Sequence, residues 1–373
     1  MKKILFLLML AVSITACSQQ KKTDKKQEKD FPEHSLAIMN PTVNNIKMFR
    51  YLVDNNILPN ANDFGMIGFY HAKQSYNFEQ SQKYIDDNNL PMKLIKCEGK
   101  LSAKNIYEQN ECSDLFSIIF EETDGVFFFG GPDIPSECFG EPTHLMTSIT
   151  DPYRHFFELS FLFQLLGGTH NENYTAMLEN KPEYVVVGFC LGMQTMNCAT
   201  GGTLIQDIPM EVYNITTAEE MRKTEVQHKN YNTYFDYDNE LTGYSFHKIK
   251  PKGENFIAKL IGNTEPYVLS YHHQSAKNIG KNFEIAATSP DGKIVEAIVH
   301  TKYPHVVGTQ FHPEQINLYD KDAKIKINFQ DIENQNYLQM YGGERGENFH
   351  REYWKIIGEW LNYIKKPITA ATF

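Results

Sequence analysis

The stretch that most restricts the fold is "YVVVGFCLGMQ", Tyr184 to Gln194. Three successive valines favour a strand buried on both faces, because β-branched side chains pack well on a covered pleated surface. Gly188 and Gly192 bracket Cys190, and "GMQTMNCAT" carries on with helical character. The order strand, tight turn, helix is that of a nucleophile elbow, where glycines let the chain turn sharply around one strained residue. G-x-C-x-G is the thiol form of that pattern. It predicts Cys190 at a helix N-terminus, where free backbone N–H groups favour negative charge on sulfur. Alone the pentapeptide is a weak signal, since a reactive thiol also needs a base and a group to orient the base.

The remainder of the chain supplies a setting for the elbow. "SLAIMN", "FGMIGFY", "MKLIKC", "GVFFFGG", "EIAAT", "KIVEAIVH" and "HVVGTQF" read as further buried strands. Between them "NIKMFRYLVDNN", "FEQSQKYIDDNN" and "YRHFFELSFLFQLL" read as helices. This alternation predicts an α/β fold, a doubly wound, mostly parallel sheet with helices on both faces. Ligand sites in such folds lie at the carboxyl ends of the strands. The polar run "ENQNYLQMYGGERGEN" reads as an insertion within about 315–350, and "FHREYWKIIGEWLNYIKK" as an amphipathic helix on the sheet edge.

The N-terminus has a different character. "MKK" precedes an apolar run of 13 residues, Ile4 to Ala16, too short for a comfortable membrane span and fitting a secretory leader. It ends "SITAC", which resembles the lipobox of bacterial lipoproteins. The expectation is a signal peptide over 1–16, lipidation of Cys17, a polar tether over 17–34 and one α/β domain over 35–373. The protein is then exported and held to a bacterial membrane by lipid, on the periplasmic side or the cell surface. A formal charge of −10 and the absence of a basic stripe beyond the N-terminus argue against a nucleic-acid partner. Cys97, Cys112, Cys138 and Cys198 show neither a disulfide framework nor a C-x-x-C metal pair, so whether they pair is left open.

"VVGTQFHPEQ" supplies the base and its orienter together. His312 follows an apolar strand, Glu314 lies two residues on, and Pro313 between them stiffens the turn. The roles are Cys190 as nucleophile, His312 as general base and then acid, and Glu314 fixing the imidazole tautomer. For the oxyanion, the amide of Leu191 is one donor, and Gly130 or Gly131 in "FFFGGPD" offers another.

Taken together, "DGVFFFGGPDIPSECFGEP", "DPYRHFFELSFL", "GFCLGMQTMNCATGGTLIQDIP", "YVLSYHHQSAKNIG", "EIAATSPDGKIVEAI" and "GTQFHPE" resemble the class I glutamine amidotransferase superfamily, in its γ-glutamyl hydrolase branch. The resemblance implies a flavodoxin-like sheet and hydrolysis of γ-glutamyl amide bonds through a thioester, by the triad Cys190, His312 and Glu314. It implies Gly131 and Leu191 as oxyanion donors, Gln194 at the glutamyl contact, and His273 flanking the substrate pocket. Arg154 is expected to be structural, paired with Asp151 or Glu158. The substrate implied is a small γ-glutamyl compound, with no metal and no organic cofactor. Self-association into a homo-oligomer is left open. Two other readings stand beside this one: a lipoprotein binding module that keeps the fold without turnover, and a glutaminase-type amidotransferase. The strand–helix unit before Asn62 and the region Tyr213–Gly243 have no counterpart in the resemblance.

Overall fold

The structure, a computed structural model, describes residues 32–225, 227–331, 335–341 and 344–365. The leader over 1–16, Cys17 and most of the tether lie outside the described residues. The expected strands are present as β1 (Ser35–Met39), β2 (Gly65–His71), β3 (Met92–Cys97), β4 (Gly125–Phe128) and β5 (Val185–Phe189). Short strands follow: β6 (Leu204–Ile205), β7 (Ser245–Lys248), β8 (Lys250–Pro251), β9 (Tyr267–Ser270) and β10 (Ser275–Ala276). The chain returns to longer strands with β11 (Phe283–Thr288), β12 (Val295–His300) and β13 (Val306–Thr309).

Nine of these form one sheet in the order β3-β2-β1-β4-β5-β13-β12-β11-β8. The first six are mutually parallel, and the last three continue the sheet antiparallel. The parallel part, with helices on both faces, is a flavodoxin-like α/β arrangement. β1 sits at its centre, between β2 and β4, so the strand–helix unit before Asn62 is part of the frame and not an addition to it. Two ribbons, β6 with β10 and β7 with β9, lie outside the sheet.

Period-two alternation divides the core. Leu36, Ile38, Val185, Val187 and Phe189 face one side, while Ala37, Met39 and Val186 face the other. The first side packs against α1 (Val43–Asp54) and α2 (Phe78–Asp87), the second against α3 (Ser113–Glu122), α4 (Pro152–Leu166) and α5 (Leu191–Ala199). Caps fix where α1 and α4 begin: the Thr42 hydroxyl accepts from the Asn45 N–H at 3.2 Å, and Asp151 caps α4 ahead of Pro152.

The C-terminal helix, Glu344–Lys365, corrects one expectation. It covers the middle of the first face and not the sheet edge, since Trp354, Ile357 and Leu361 pack into the same cluster as Val187, Phe189 and Phe311. The spacing of these three residues puts them on one side of the helix, and that stripe is apolar enough to go under the centre of the sheet. The described part of the expected insertion is also anchored: the Tyr337 hydroxyl donates to the Tyr267 carbonyl at 2.7 Å.

Among the described residues no helix is long and apolar enough to cross a membrane. The five described cysteines are free and buried, with the sulfurs of Cys97 and Cys112 3.0 Å apart.

Candidate active site

Because β1, β4, β5 and β13 run parallel, their carboxyl ends open at one edge, and a cavity of about 430 Å³ lies there. Its walls include Asn44 after β1, Gly130 and Gly131 after β4, Cys190 after β5, and His312 and Glu314 after β13.

Cys190 has φ 52° and ψ −105°, a backbone conformation that a non-glycine residue adopts only when its surroundings force it. Its N–H donates to the Thr309 carbonyl at 2.7 Å, while its own carbonyl accepts from Gln194 at the start of α5. The flanking glycines are obligatory here. A Cβ on Gly188 would stand 2.7 Å from the Gly192 carbonyl carbon, and one on Gly192 would stand 2.6 Å from the Phe128 oxygen.

His312 Nδ1 and Glu314 Oε1 are 2.7 Å apart, and both residues are buried. Burial works against an imidazolium at His312. The charges of Glu314 and Cys190, with hydrogen bonds to both side chains, lift its pKa to about 10. The structure thus brings sulfur, imidazole and carboxylate together in that order. The intervening turn is held from below, because the Pro313 carbonyl accepts from the Tyr319 hydroxyl at 2.6 Å and from Trp354 Nε1 at 3.0 Å.

The two glycines of "GGPD" have separate tasks. A Cβ on Gly130 would lie 2.8 Å from His312 Cε1, so glycine makes room for the ring. Arg154, buried and paired with Glu158 at 2.8 Å, donates through Nη2 to the carbonyls of Phe129 and Gly130, each at 2.9 Å. In a trans peptide the N–H lies opposite the carbonyl, so the Gly131 N–H is turned away from Arg154. Leu191 opens α5, so its N–H has no acceptor one turn earlier. The sequence pairs Arg154 only with a carboxylate and carries no sign of its contacts to this loop. No local spacing signals an arginine that reaches backbone carbonyls from another element.

Gln194 lines the cavity and donates through Nε2 to the Gln274 carbonyl at 3.1 Å and to Gln310 Oε1 at 3.2 Å. His273 also lines it, clasped between Asp207 (Nδ1 to Oδ2, 3.2 Å) and Asp133 (Nε2 to either oxygen, 3.1 Å). Burial lowers the His273 pKa, but the hydrogen bonds to Asp133 and Asp207 outweigh it and raise the value to about 9. Lys229, Tyr244 and Tyr271 complete this wall; Tyr271 lies in the "YVLSYHHQSAKNIG" motif, whereas Lys229 and Tyr244 come from segments that no sequence motif marks.

The family model for peptidase C26 matches residues 79–314, from α2 to Glu314. The chain belongs to the peptidase C26 family. Protein NtpR of Enterococcus hirae is 29% identical over 199 residues, 53% of this chain and 70% of NtpR. The glutamine amidotransferase-like protein RP404 of Rickettsia prowazekii, so named only provisionally, is 26% identical over 226 residues, 55% of this chain and 75% of its own. γ-Glutamyl-γ-aminobutyrate hydrolase PuuD of Escherichia coli K12 is 24% identical over 245 residues, 65% of this chain and 80% of PuuD. Membership in C26 and these relatives support a hydrolase of glutamine amidotransferase-like type.

Proposed function

We propose that this C26 protein hydrolyses γ-glutamyl amide bonds through a thioester on Cys190. The observation that carries the reading is the hydrogen-bonded His312–Glu314 pair meeting a strained Cys190 at the mouth of one cavity. Cys190 sulfur attacks the γ-carbonyl carbon, and the oxyanion that forms is held by the N–H groups of Leu191 and Gly131. His312 gives its Nε2 proton to the departing amine as the C–N bond breaks. Water, losing a proton to His312, then opens the thioester and frees glutamate. Glu314 keeps Nδ1–H pointed at itself, so that Nε2 does the proton transfer. Lys229, which stacks over the rings of Tyr231 and Tyr234 at the cavity wall, supplies a cation suited to a glutamyl carboxylate.

The test is glutamate release from γ-glutamyl peptides, γ-glutamyl-aminobutyrate, poly-γ-glutamate and glutamine. Release from peptides above that from glutamine is the expected pattern. Release from glutamine alone points to the glutaminase-type reading. Binding without release, and without labelling of Cys190 by a glutamine-analogue electrophile, points to the silent module.

Export and lipid anchoring through Cys17 belong to the same proposal, supported by the apolar run that ends in "SITAC". Labelled fatty acid should enter the native chain in its host and be missing from Cys17→Ser. Equal labelling of both would remove the anchor.

A further inference from the structure

Behind the Tyr271–Gln274 wall of the cavity lies a second group of titratable side chains that the proposed reaction does not use. His228, His247, His272 and Glu296 are all buried, and one potential ligand atom from each lies within 4.8 Å of all the others. The residues come from four places: the segment before β7, β7 itself, the turn after β9, and β12. The ring centroids of His228 stand 4.5 Å from those of His247 and 4.8 Å from those of His272.

The polar atoms of this group are poorly satisfied by the protein. Both nitrogens of His228, Nε2 of His272 and both oxygens of Glu296 are buried with no hydrogen-bond partner among the described residues. Burying that many unpaired polar atoms is costly, and native interiors rarely tolerate it. Glu296 Oε1 lies 3.3 Å from His228 Nδ1 and 3.6 Å from His247 Nε2, yet neither contact has hydrogen-bond geometry. Ligand atoms around a tetrahedral zinc ion, each about 2.0–2.1 Å from the metal, stand about 3.4 Å from one another. The contacts that fail as hydrogen bonds have the edge length of a coordination tetrahedron.

The outer contacts already fix the tautomers that coordination requires. His272 Nδ1 donates to the Gln274 carbonyl at 2.9 Å, and His247 Nδ1 to the Lys248 carbonyl at 3.0 Å. In both rings Nε2 is left with its lone pair directed inward, the arrangement that backbone carbonyls impose on ligating histidines. The Ser270 hydroxyl occupies the His247 lone pair at 2.8 Å and can rotate aside.

We propose that His228, His247, His272 and Glu296 form a mononuclear binding site for a divalent cation of the zinc class. Three neutral nitrogens and one carboxylate suit zinc in a closed four-ligand shell, without the thiolates that softer ions prefer. A closed shell leaves no position for substrate, so the ion is structural. It ties the segment before β7, the β7–β9 ribbon and the sheet to the Tyr271–Gln274 wall. His272 also lines the catalytic cavity, which gives the ion a route in.

The experiment uses the full chain, stripped with a chelator, re-equilibrated with Zn²⁺ and counted by elemental mass spectrometry. Cys190→Ala runs in parallel, because a thiol beside an imidazole can capture zinc by itself. The expected result is about one zinc per chain in both proteins, with loss in Glu296→Gln and in His228→Asn. No retained zinc in the native chain overturns the site, as does zinc lost from Cys190→Ala and kept by Glu296→Gln. Should the substituted proteins fold poorly by circular dichroism, Co²⁺ in the native chain decides. Tetrahedral ligand-field bands without sulfur-to-metal charge transfer support the site. A thiolate charge-transfer band places the ion on a cysteine and overturns it.

Discussion

The molecule holds two clusters of histidine and carboxylate, separated by the few residues of the Tyr271–Gln274 wall, and they differ in how their atoms are paired. At the strand ends His312 and Glu314 meet at 2.7 Å in a directed hydrogen bond, and the ring borders the cavity. Behind the wall His228 and His247 meet Glu296 at 3.3 and 3.6 Å without directed bonds, and all four residues of that cluster are buried. The pairing decides the proton. A close carboxylate raises His312 to about 10, whereas burial without such a bond drives His228 to about 4. The same two residue types therefore give an imidazole that holds its proton in one place and a set of bare lone pairs in the other.

The largest effects should fall on opposite clusters. Cys190→Ala is expected to cut glutamate release by roughly 10⁴-fold or more while zinc stays bound, and loss of both together would erase the distinction. Glu314→Gln should lower kcat by about 10²- to 10⁴-fold by releasing the His312 tautomer, read from steady-state kinetics. Arg154→Met combined with Glu158→Gln, which avoids a stranded buried carboxylate, should lower kcat about 10²-fold or more through the Gly130–Gly131 loop, with KM moving less.

The smallest effect belongs to His273, whose folded pKa of about 9 exceeds an unfolded value of about 6.5. A raised value means that the folded state holds the proton more tightly. The stabilisation is therefore complete below about pH 6.5 and is lost as pH rises through about 9. The difference in urea midpoint between the native chain and His273→Gln should be greatest near pH 6 and close by about pH 10. A gap independent of pH would mean that the two aspartates do not hold a charged ring.

The eight runs read as strands correspond to β1 to β5 and β11 to β13, and the elbow lies where β5 meets α5. These were legible because their apolar periodicity and glycine placement are local properties of the chain. The meeting of Cys190, His312 and Glu314 at one cavity was legible for a similar reason, since His312 and Glu314 are two residues apart and Cys190 carries its own turn. By contrast, α3 and the ribbons β6–β10 and β7–β9 were missed. The short strands span two to four residues, too few for a period to register. The buried four-residue cluster was invisible to spacing, with ligands spread over 228–296, and the sequence reading expected no metal. Arg154 and Trp354 act by reaching backbone carbonyls across the fold, which no linear pattern encodes.

The grip of Trp354 and Tyr319 on the Pro313 carbonyl carries a consequence for biogenesis. Cys190, His312 and Glu314 are all synthesised by residue 314, but the indole that steadies the His–Pro–Glu turn arrives some forty residues later. A chain clipped ahead of its final helix would own the full chemical toolkit and lack the floor that aims it. The aim of the His–Pro–Glu turn would then wait on the docking of that helix.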